Sequence, residues 1–309
     1  MRFGSSGPGG GVSAASTGPA TGKMLRHRLQ TAGILIAVLL GVVLLSYRVP
    51  VLFFLVGNFF VILGCLEFAQ LTGGIRWTAA VGGGLVFSSA FIAAVGPRYI
   101  PSQFVVFCQP EWPEFSLLVL LVLTFLFQAT RRELDGAAAR ICSTVTAVIY
   151  ASWLMSFLPR INYYQSFRFP DLDGRMYLFF LFFVVKVTDS AAYFVGSKWG
   201  RRKLIPRLSP RKTLEGAVAG IVFGGVAALG GKYLFALNEV SAAGVTTLGL
   251  LLGGTSIGAD LAESLIKRSA GEKDSGNTLP GLGGVLDLMD SVYFSAPVLF
   301  FYMKLVFKL

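Results

Sequence analysis

The sequence has little charge and almost no histidine. Only 14% of its 309 residues are Asp, Glu, Lys or Arg, and 54% are hydrophobic, which is outside the usual composition of soluble globular domains. The single histidine, His27, precedes the first long apolar run, which disfavours a histidine base or a histidine-rich metal site. The three cysteines lie far apart and are odd in number, which disfavours a disulfide framework or a cysteine zinc site. Any catalysis would therefore depend on carboxylates, basic side chains and an added metal ion.

Long apolar runs fill most of the chain, and the mean hydropathy is +0.68. A helix needs about 20 apolar residues to cross the hydrocarbon core of a bilayer. The sequence therefore predicts an all-α, polytopic integral membrane protein with about nine transmembrane helices. We expect the spans near 30–48, 51–71, 77–96, 114–129, 137–158, 176–195, 214–237, 240–258 and 286–306.

The composition divides the chain into three parts. Residues 1–22 are rich in Gly, Ser, Ala and Pro and have no hydrophobic periodicity, which predicts a disordered cytoplasmic tail. Residues 23–175 form the N-terminal transmembrane helices. Glu67 in this part is either an ordinary acid at a helix end or a residue that supports the ligands of a functional site. Residues 176–309 form the C-terminal region, which holds the motifs that carry chemistry.

Basic residues exceed acidic ones and give a net charge of +11. They alternate with spanning runs, so anionic lipid headgroups and phosphate-bearing substrates are better partners than nucleic acid. If the cluster Lys23, Arg26 and Arg28 is cytoplasmic, the loops after the second, fourth, sixth and eighth spans share its side and carry most of the bases, as the positive-inside rule requires. Both polar loops of the C-terminal region are then expected to face the cytoplasm.

The first motif region, Lys186 to Gly216, begins with two charges inside a predicted span. Lys186 and Asp189 are three residues apart and share a helix face, and charged residues within a membrane helix usually face a polar interior with a function. A structural ion pair between helices is the alternative.

The segment LSPRKTLEG follows within the same region. Ser209 and Pro210 suit a helix start, with Lys212, Thr213 and Glu215 near its first turn. A lysine, a hydroxyl and free backbone N–H groups at a helix N-terminus can hold a phosphate. A plain helix cap would explain Ser209 and Glu215, and a basic loop can also be only a topology signal.

The second motif region is SLIKRSAGEKDSGNTLPGLGGVLDLMD, residues 264–290, extended back to Asp260. Asp260, Ser264 and Lys267 share one helix face, and so do Asp287 and Asp290 in the first turn of the last span. Three carboxylates on two helix ends can bind Mg²⁺ together with waters and phosphate oxygens. The helix dipole alone could also explain the second pair.

Glycines and bases complete this second region. In PGLGG, Gly283 and Gly284 can present backbone N–H groups to an anion. Lys267, Arg268 and Lys273 are expected at the cytoplasmic surface, where they could receive a lipid headgroup. Two phosphate-binding loops and a metal site are what phosphoryl or nucleotidyl transfer to a lipid requires.

Three ordered motifs resemble those of a known family. The runs SLIKR, KDSG, LPG, GG and D-x-x-D-S are similar to the signature of the phosphatidate cytidylyltransferases (CDP-diacylglycerol synthases), and TDSAAYFVG and SPRKTLEG look like the other motifs of that family. The resemblance covers Lys186 to Ser291, and the earlier spans match only in hydropathy. Three motifs in order are a specific signal.

The resemblance implies a reaction and a site. Family members join CTP to phosphatidate to give CDP-diacylglycerol and pyrophosphate, require Mg²⁺, are assisted by a monovalent cation such as K⁺, and are multi-pass, often homodimeric proteins of the inner (cytoplasmic) membrane with a cytoplasmic active site. The implied catalytic residues are Asp260, Asp287, Asp290 and Lys267, and the three aspartates would hold the metal. The implied nucleotide-binding residues are Ser209, Lys212, Thr213, Glu215 and Gly216. The implied residues for the lipid phosphate and pyrophosphate are Lys267, Arg268, Lys273, Asp274, Asp189, Gly283 and Gly284.

Two positions depart from the family pattern, and other functions stay open. Leu282 stands where the family has a histidine, and Leu288 stands where it has an arginine. Phosphatidate already carries an ionised phosphate and needs no base, but one fewer cation for pyrophosphate could change efficiency or substrate preference. The alternatives are a transporter or flippase for a phosphorylated substrate, a CTP-dependent polyprenol kinase, a cytidylyltransferase for another lipid phosphate, and a non-catalytic family member.

Overall fold

Helices form nearly all the regular structure of this protein. The computed structural model describes residues 19–101, 103, 108–131, 134–166, 169–276, 278–279 and 283–307, so Leu282 lies outside the described residues. The helices are α1 (Pro19–Leu45), α2 (Pro50–Thr72), α3 (Arg76–Tyr99), α4 (Trp112–Ala129), α5 (Ala137–Val148), α6 (Phe157–Asn162), α7 (Gly174–Trp199), α8 (Leu214–Leu234), α9 (Ala242–Ser269) and α10 (Val285–Phe307). A π-helical turn, Ile149–Trp153, joins α5 to α6, and strands β1 (Lys203–Ile205) and β2 (Ser209–Thr213) form one antiparallel hairpin.

Eight helical segments of the described chain are long and apolar enough to cross a membrane. They are α2, α3, α4, the continuous segment Ala137–Asn162, α7, α8, α9 and α10, and they match eight of the nine predicted spans. The remaining prediction, 30–48, falls on α1, whose apolar part, Gly33–Leu45, is shorter. Helix α1 begins at Pro19, so the last four residues of the predicted tail are helical, while residues 1–18 lie outside the description. The prediction of an all-α, multi-pass membrane protein is confirmed.

Contacts near the helix ends gather several polar connections at one end of the bundle: Glu67, near the end of α2, accepts the Val285 N–H at the start of α10, and Lys212, just before α8, pairs with Asp260 of α9. The connections α2 to α3, α7 to α8 and α9 to α10 lie there, and we call this the site end. Helix α9 has 28 residues, about 42 Å at 1.5 Å per residue. Since the hydrocarbon core is about 30 Å thick, α9 is long enough to cross it and to extend its polar last turns into the interfacial region.

Small residues bring α7, α8 and α9 close together. A Cβ atom on Gly224 would lie 2.7 Å from Thr188 Oγ1 of α7, and a Cβ on Gly249 of α9 would lie 2.3 Å from Ala228 Cβ and 2.6 Å from the Gly224 carbonyl. Glycine at such crossings lets membrane helices pack backbone to backbone. This packing brings the two predicted motif regions side by side.

The predicted helix start at Ser209 is wrong. Ser209 begins β2, and α8 starts at Leu214, with Thr213 as its N-cap: the Thr213 hydroxyl accepts a hydrogen bond from the Gly216 N–H at 3.2 Å. Strand β2 pairs with β1, Lys203 opposite Thr213 and Ile205 opposite Ser209. This cross-strand pairing, which a local pattern does not reveal, displaces the helix start by five residues.

Candidate active site

Three carboxylates from α9 and α10 form the centre of the candidate site. Asp260, Glu263 and Asp290 each offer an oxygen, and these oxygens lie within 4.8 Å of one another. Glu263 is 2% exposed, and its Oε1 has no hydrogen-bond partner among the described residues. We call these three residues the acid cluster. Like-charged groups this close need a cation or protons to be stable, and three hard oxygen donors suit Mg²⁺.

Asp189 attaches α7 to this cluster. Its carboxylate accepts hydrogen bonds from the hydroxyls of Ser256 on α9, at 3.0 Å, and Ser291 on α10, at 3.2 Å. The predicted pair with Lys186 is present at 3.7 Å, although the Lys186 side chain is 60% exposed. Asp189 therefore connects α7 to α9 and α10 beside the acid cluster, in addition to forming the predicted pair with Lys186 within α7.

The hairpin before α8 supplies a cation to the cluster. Lys212 Nζ, on β2, lies 2.5 Å from Asp260 Oδ2 as an ion pair that lacks the geometry of a directed hydrogen bond. Thr213 and Gly216 are buried in the turn that follows, and the Glu215 carboxylate accepts the backbone N–H groups of Arg201 and Arg202 at 3.1 Å. Glu215 thus holds the base of the hairpin. Ser209 lies at the far end of β2, where it faces Ile205.

Lys267 and Asp287 form a second part of the site, next to the cluster. Lys267 Nζ lies 2.7 Å from Glu263 Oε2 and 2.7 Å from Asp287 Oδ1. Asp287 Oδ2 accepts the backbone N–H groups of Ser275 and Gly284, both at 2.9 Å. The structure therefore groups Asp260 and Asp290 with Glu263, while Asp287 binds Lys267 and the N-terminus of α10.

The remaining predicted residues lie on the loop between α9 and α10 or beside it. Arg268 is exposed and donates to the Glu272 carbonyl at 2.9 Å. Lys273 and Asp274 are exposed and line a polar cavity of ≈ 590 Å³ against the end of α2. Gly283 has φ +93°, a backbone conformation that glycine adopts readily, and the Gly284 N–H is used by Asp287. Leu288 is half-buried against the apolar core, so this position offers no cation to the site.

Glu263 and Tyr150 were not predicted from the sequence. Glu263 lies three residues after Asp260 and four before Lys267, so the helical spacing that selected those two residues also selects it. Tyr150 is on the π-helical turn, is 7% exposed, and its hydroxyl has no partner among the described residues. Its ring packs against Tyr293 and Phe294 of α10, the helix that carries Asp290. Inserted π turns are frequent at functional sites, but no local sequence signal marks this one.

These features define a class of protein. Carboxylates able to hold a hard cation, two lysines and a basic hairpin meet at one end of a multi-helix membrane bundle. Such a set can neutralise and position phosphate groups, with little need for a nucleophilic side chain. The arrangement is therefore that of a multi-pass membrane protein with a site able to bind phosphate groups.

Comparison with known proteins gives the family. The sequence model of the cytidylyltransferase family matches residues 26–306, so this chain belongs to that family of nucleotidyl-transferring enzymes.

Three bacterial proteins are similar to this chain over most of its length. The chain is 37% identical over 219 residues to a phosphatidate cytidylyltransferase of Bacillus subtilis, covering 67% of this chain and 74% of that protein. It is 33% identical over 203 residues to a phosphatidate cytidylyltransferase of Thermotoga maritima, covering 63% and 72%. It is 36% identical over 195 residues to the uncharacterized protein YnbB of Escherichia coli, covering 62% of this chain and 64% of YnbB.

Proposed function

We propose that this protein transfers a cytidylyl group from CTP to phosphatidate, giving CDP-diacylglycerol and pyrophosphate. The observation that carries the proposal is the meeting of the acid cluster with Lys212 on one side and Lys267 on the other. Membership of the cytidylyltransferase family and the names of the Bacillus and Thermotoga relatives support the choice of nucleotide and lipid.

The reaction needs positioning and charge neutralisation more than proton transfer. A phosphate oxygen of phosphatidate forms a bond to the α-phosphorus of CTP, and the bond from that phosphorus to the bridging oxygen of the β-phosphate breaks. The electron pair leaves with pyrophosphate. In this proposal Lys212, at the basic hairpin, neutralises the nucleotide phosphates, and Lys267 receives the lipid phosphate. Since the phosphatidate oxygen is already ionised, the reaction does not require the family histidine at position 282.

The acid cluster fits a divalent cation. Asp260 and Asp290 would hold Mg²⁺ with Glu263, whose Oε1 has no partner among the described residues. Asp287 would reach the ion only after releasing Lys267. A bound Mg²⁺ would supply charge stabilisation to the phosphates, as such ions do in nucleotidyl transfer. We also expect a monovalent cation such as K⁺ to assist the reaction, which can be tested by measuring activity as a function of KCl concentration.

The placement in the cell is also part of the proposal. The bases of the β1–β2 hairpin and of the α9–α10 loop lie at the site end, which supports a cytoplasmic active site in the inner membrane by the positive-inside rule. A cysteine introduced at Lys203 should react with a membrane-impermeant thiol reagent in inside-out vesicles and not in intact cells. Native mass spectrometry tests the expected homodimer.

Position-specific labels test the reaction itself. Purified protein is incubated with phosphatidate, Mg²⁺ and CTP that is radiolabelled on either the α- or the γ-phosphorus. We expect the α-label in the lipid product, the γ-label in pyrophosphate, and no lipid product from Asp290→Asn. Transfer of the γ-label to lipid would indicate a kinase. Absence of any lipid product from folded wild-type protein, across several lipid phosphates, would overturn the enzymatic proposal.

A Mg²⁺ titration tests the cluster. Glu263→Gln removes one candidate ligand while keeping the side-chain size, so the Mg²⁺ concentration for half-maximal activity should rise by about tenfold or more. The thermal midpoint in added Mg²⁺ gives a readout that is independent of turnover. Glu111→Gln, the same change at an exposed acid just before α4 whose side chain makes no cap hydrogen bond, is the matched control and should leave both measurements unchanged.

A further inference from the structure

Glu67 of α2 is a buried acid that reaches into the α9–α10 loop. Helix α2 is otherwise almost entirely apolar, yet Glu67 is only 6% exposed. Its carboxylate accepts the backbone N–H groups of Val285 and Leu286, each at 3.0 Å, across a separation of 218 residues or more. A carboxylate at a helix N-terminus satisfies free N–H groups and suits the helix dipole. Glu67 therefore caps α10 from a different helix.

Capping alone does not explain the other contacts of Glu67. The same carboxylate accepts the hydroxyl of Thr278, and the Ser275 hydroxyl lies 3.2 Å from its Oε2. A Cβ on Gly284 would lie 2.6 Å from Glu67 Oε2, and a Cβ on Gly276 would lie 3.1 Å from Oε1. The loop thus has glycine and small hydroxyl residues where it surrounds this carboxylate.

A chain of polar contacts leads from Glu67 to the acid cluster. The Ser275 hydroxyl lies 3.2 Å from Glu67 Oε2 and 3.0 Å from Asp287 Oδ2, so it links the two acids. Asp287 in turn binds Lys267, and Lys267 binds Glu263 of the cluster, each at 2.7 Å. The position of Lys267 therefore depends, through two intermediates, on a residue of the N-terminal half.

We propose that Glu67 is a positioning residue for the lipid-phosphate side of the site. It fixes the α9–α10 loop and the start of α10, so that Asp287 holds Lys267 in place. The nucleotide side is held differently, by the β1–β2 hairpin, Thr213 and Glu215. This inference rests on the proposed function for the identity of the two substrates.

The substrate constants of Glu67→Gln test the proposal. Glutamine keeps the size of the side chain but replaces one acceptor oxygen by a donor that faces other donors. We expect the KM for phosphatidate to rise about tenfold, the size typical of a lost supporting contact around a site, and the KM for CTP to stay within about twofold of wild type. A purely structural role predicts equal loss for both substrates or lower thermal stability alone. Either of those results would overturn the proposal, and Glu111→Gln, at an exposed acid whose side chain makes no cap hydrogen bond, serves as the acid-to-amide control.

Two further measurements separate this inference from the proposed function. If Glu67 acts through Ser275, the double variant with Ser275→Ala should be no worse than the poorer single variant, whereas additive losses would contradict that route. Amide hydrogen exchange needs no turnover. Glu67→Gln should accelerate exchange at Val285, Leu286 and the 275–279 loop, with α7 and α8 unchanged, and unchanged exchange at these amides would refute the positioning role even if wild-type protein made no product.

Discussion

Lys212 Nζ lies 2.5 Å from Asp260 Oδ2 and joins the basic hairpin to the acid cluster. Both side chains are partly shielded, with 27% and 31% exposed. A partly buried ion pair that loses one partner leaves the other charge uncompensated. Together with the contacts of Asp189, the pair joins two motif regions that lie far apart in the sequence into one site.

Replacing Lys212 should damage the nucleotide side of the reaction. We expect Lys212→Met to lower kcat/KM for CTP by at least about tenfold, since it leaves Asp260 unpaired and removes the charge that, in the proposed function, neutralises the nucleotide phosphates. Lys203→Met, an exposed lysine on the partner strand, is the matched control. Equal activity of the two variants would contradict a role of Lys212 toward CTP.

Tyr150 offers a second test, in which only one hydroxyl changes. A buried hydroxyl without a partner costs about 1–3 kcal/mol, so Tyr150→Phe should not lower the thermal midpoint of the ligand-free protein. Because Tyr150 packs against α10, which carries Asp290 of the acid cluster, we expect a smaller gain in thermal midpoint on adding Mg²⁺ and CTP than in wild type.

Tyr164 provides the control for that variant. It is 5% exposed, and its hydroxyl also lacks a partner among the described residues, but it packs against Phe300 and Phe307 near the far end of α10. Tyr164→Phe should leave the ligand-induced gain unchanged. Identical gains in wild type and Tyr150→Phe would mean that the Tyr150 hydroxyl contacts neither ligand.

Hydropathy was sufficient to predict the spans, because a membrane helix must be apolar over its whole length. The predicted span 286–306 and α10, Val285–Phe307, differ by one residue at each end. Helix α9 continues to Ser269, well past the predicted end at 258, because its last turns are polar on one face and carry the site.

The site was predicted less completely, because tertiary contacts decide it. Asp260, Lys267 and Asp290 were selected by their spacing along helices, which is local information. The contact of Glu67 with Val285 spans 218 residues, and neither segment signals the other. The hairpin was not predicted for a similar reason. Pro210 and the adjacent bases locally favour a helix start, whereas the strand depends on the pairing of Lys203 with Thr213.

The glycine contact between α8 and α9 should be sensitive to one added methyl group. Gly249→Ala would place its Cβ 2.3 Å from Ala228 Cβ, and overpacking of this kind costs about 1–3 kcal/mol. We expect a lower thermal midpoint in detergent and reduced activity. Gly254→Ala lies on the same helix with nothing within 4 Å of its Cβ, so a comparable loss there would show that helix packing is not the cause.

At the end of the bundle opposite the site, Asp173 should make stability depend on acid pH. Its carboxylate caps α7 by accepting the Arg175 N–H at 3.0 Å and pairs with Arg175 Nη2 at 2.6 Å. Burial alone would raise the pKa of Asp173, but the hydrogen bonds and charge of Arg175 outweigh it and lower the pKa below its ordinary value. The stabilisation is therefore fully present above the unfolded-state pKa of about 3.9 and is lost as the pH falls through the lower folded-state pKa.

Asp173→Asn keeps an N-cap acceptor without the charge, so the gap in thermal midpoint between wild type and this variant should be constant from about pH 7 to pH 5 and should close below about pH 4. Asp171→Asn, at an exposed acid two residues earlier, controls for general loss of charge, and a gap that persisted into strong acid would show that the Arg175 pair does not stabilise the fold.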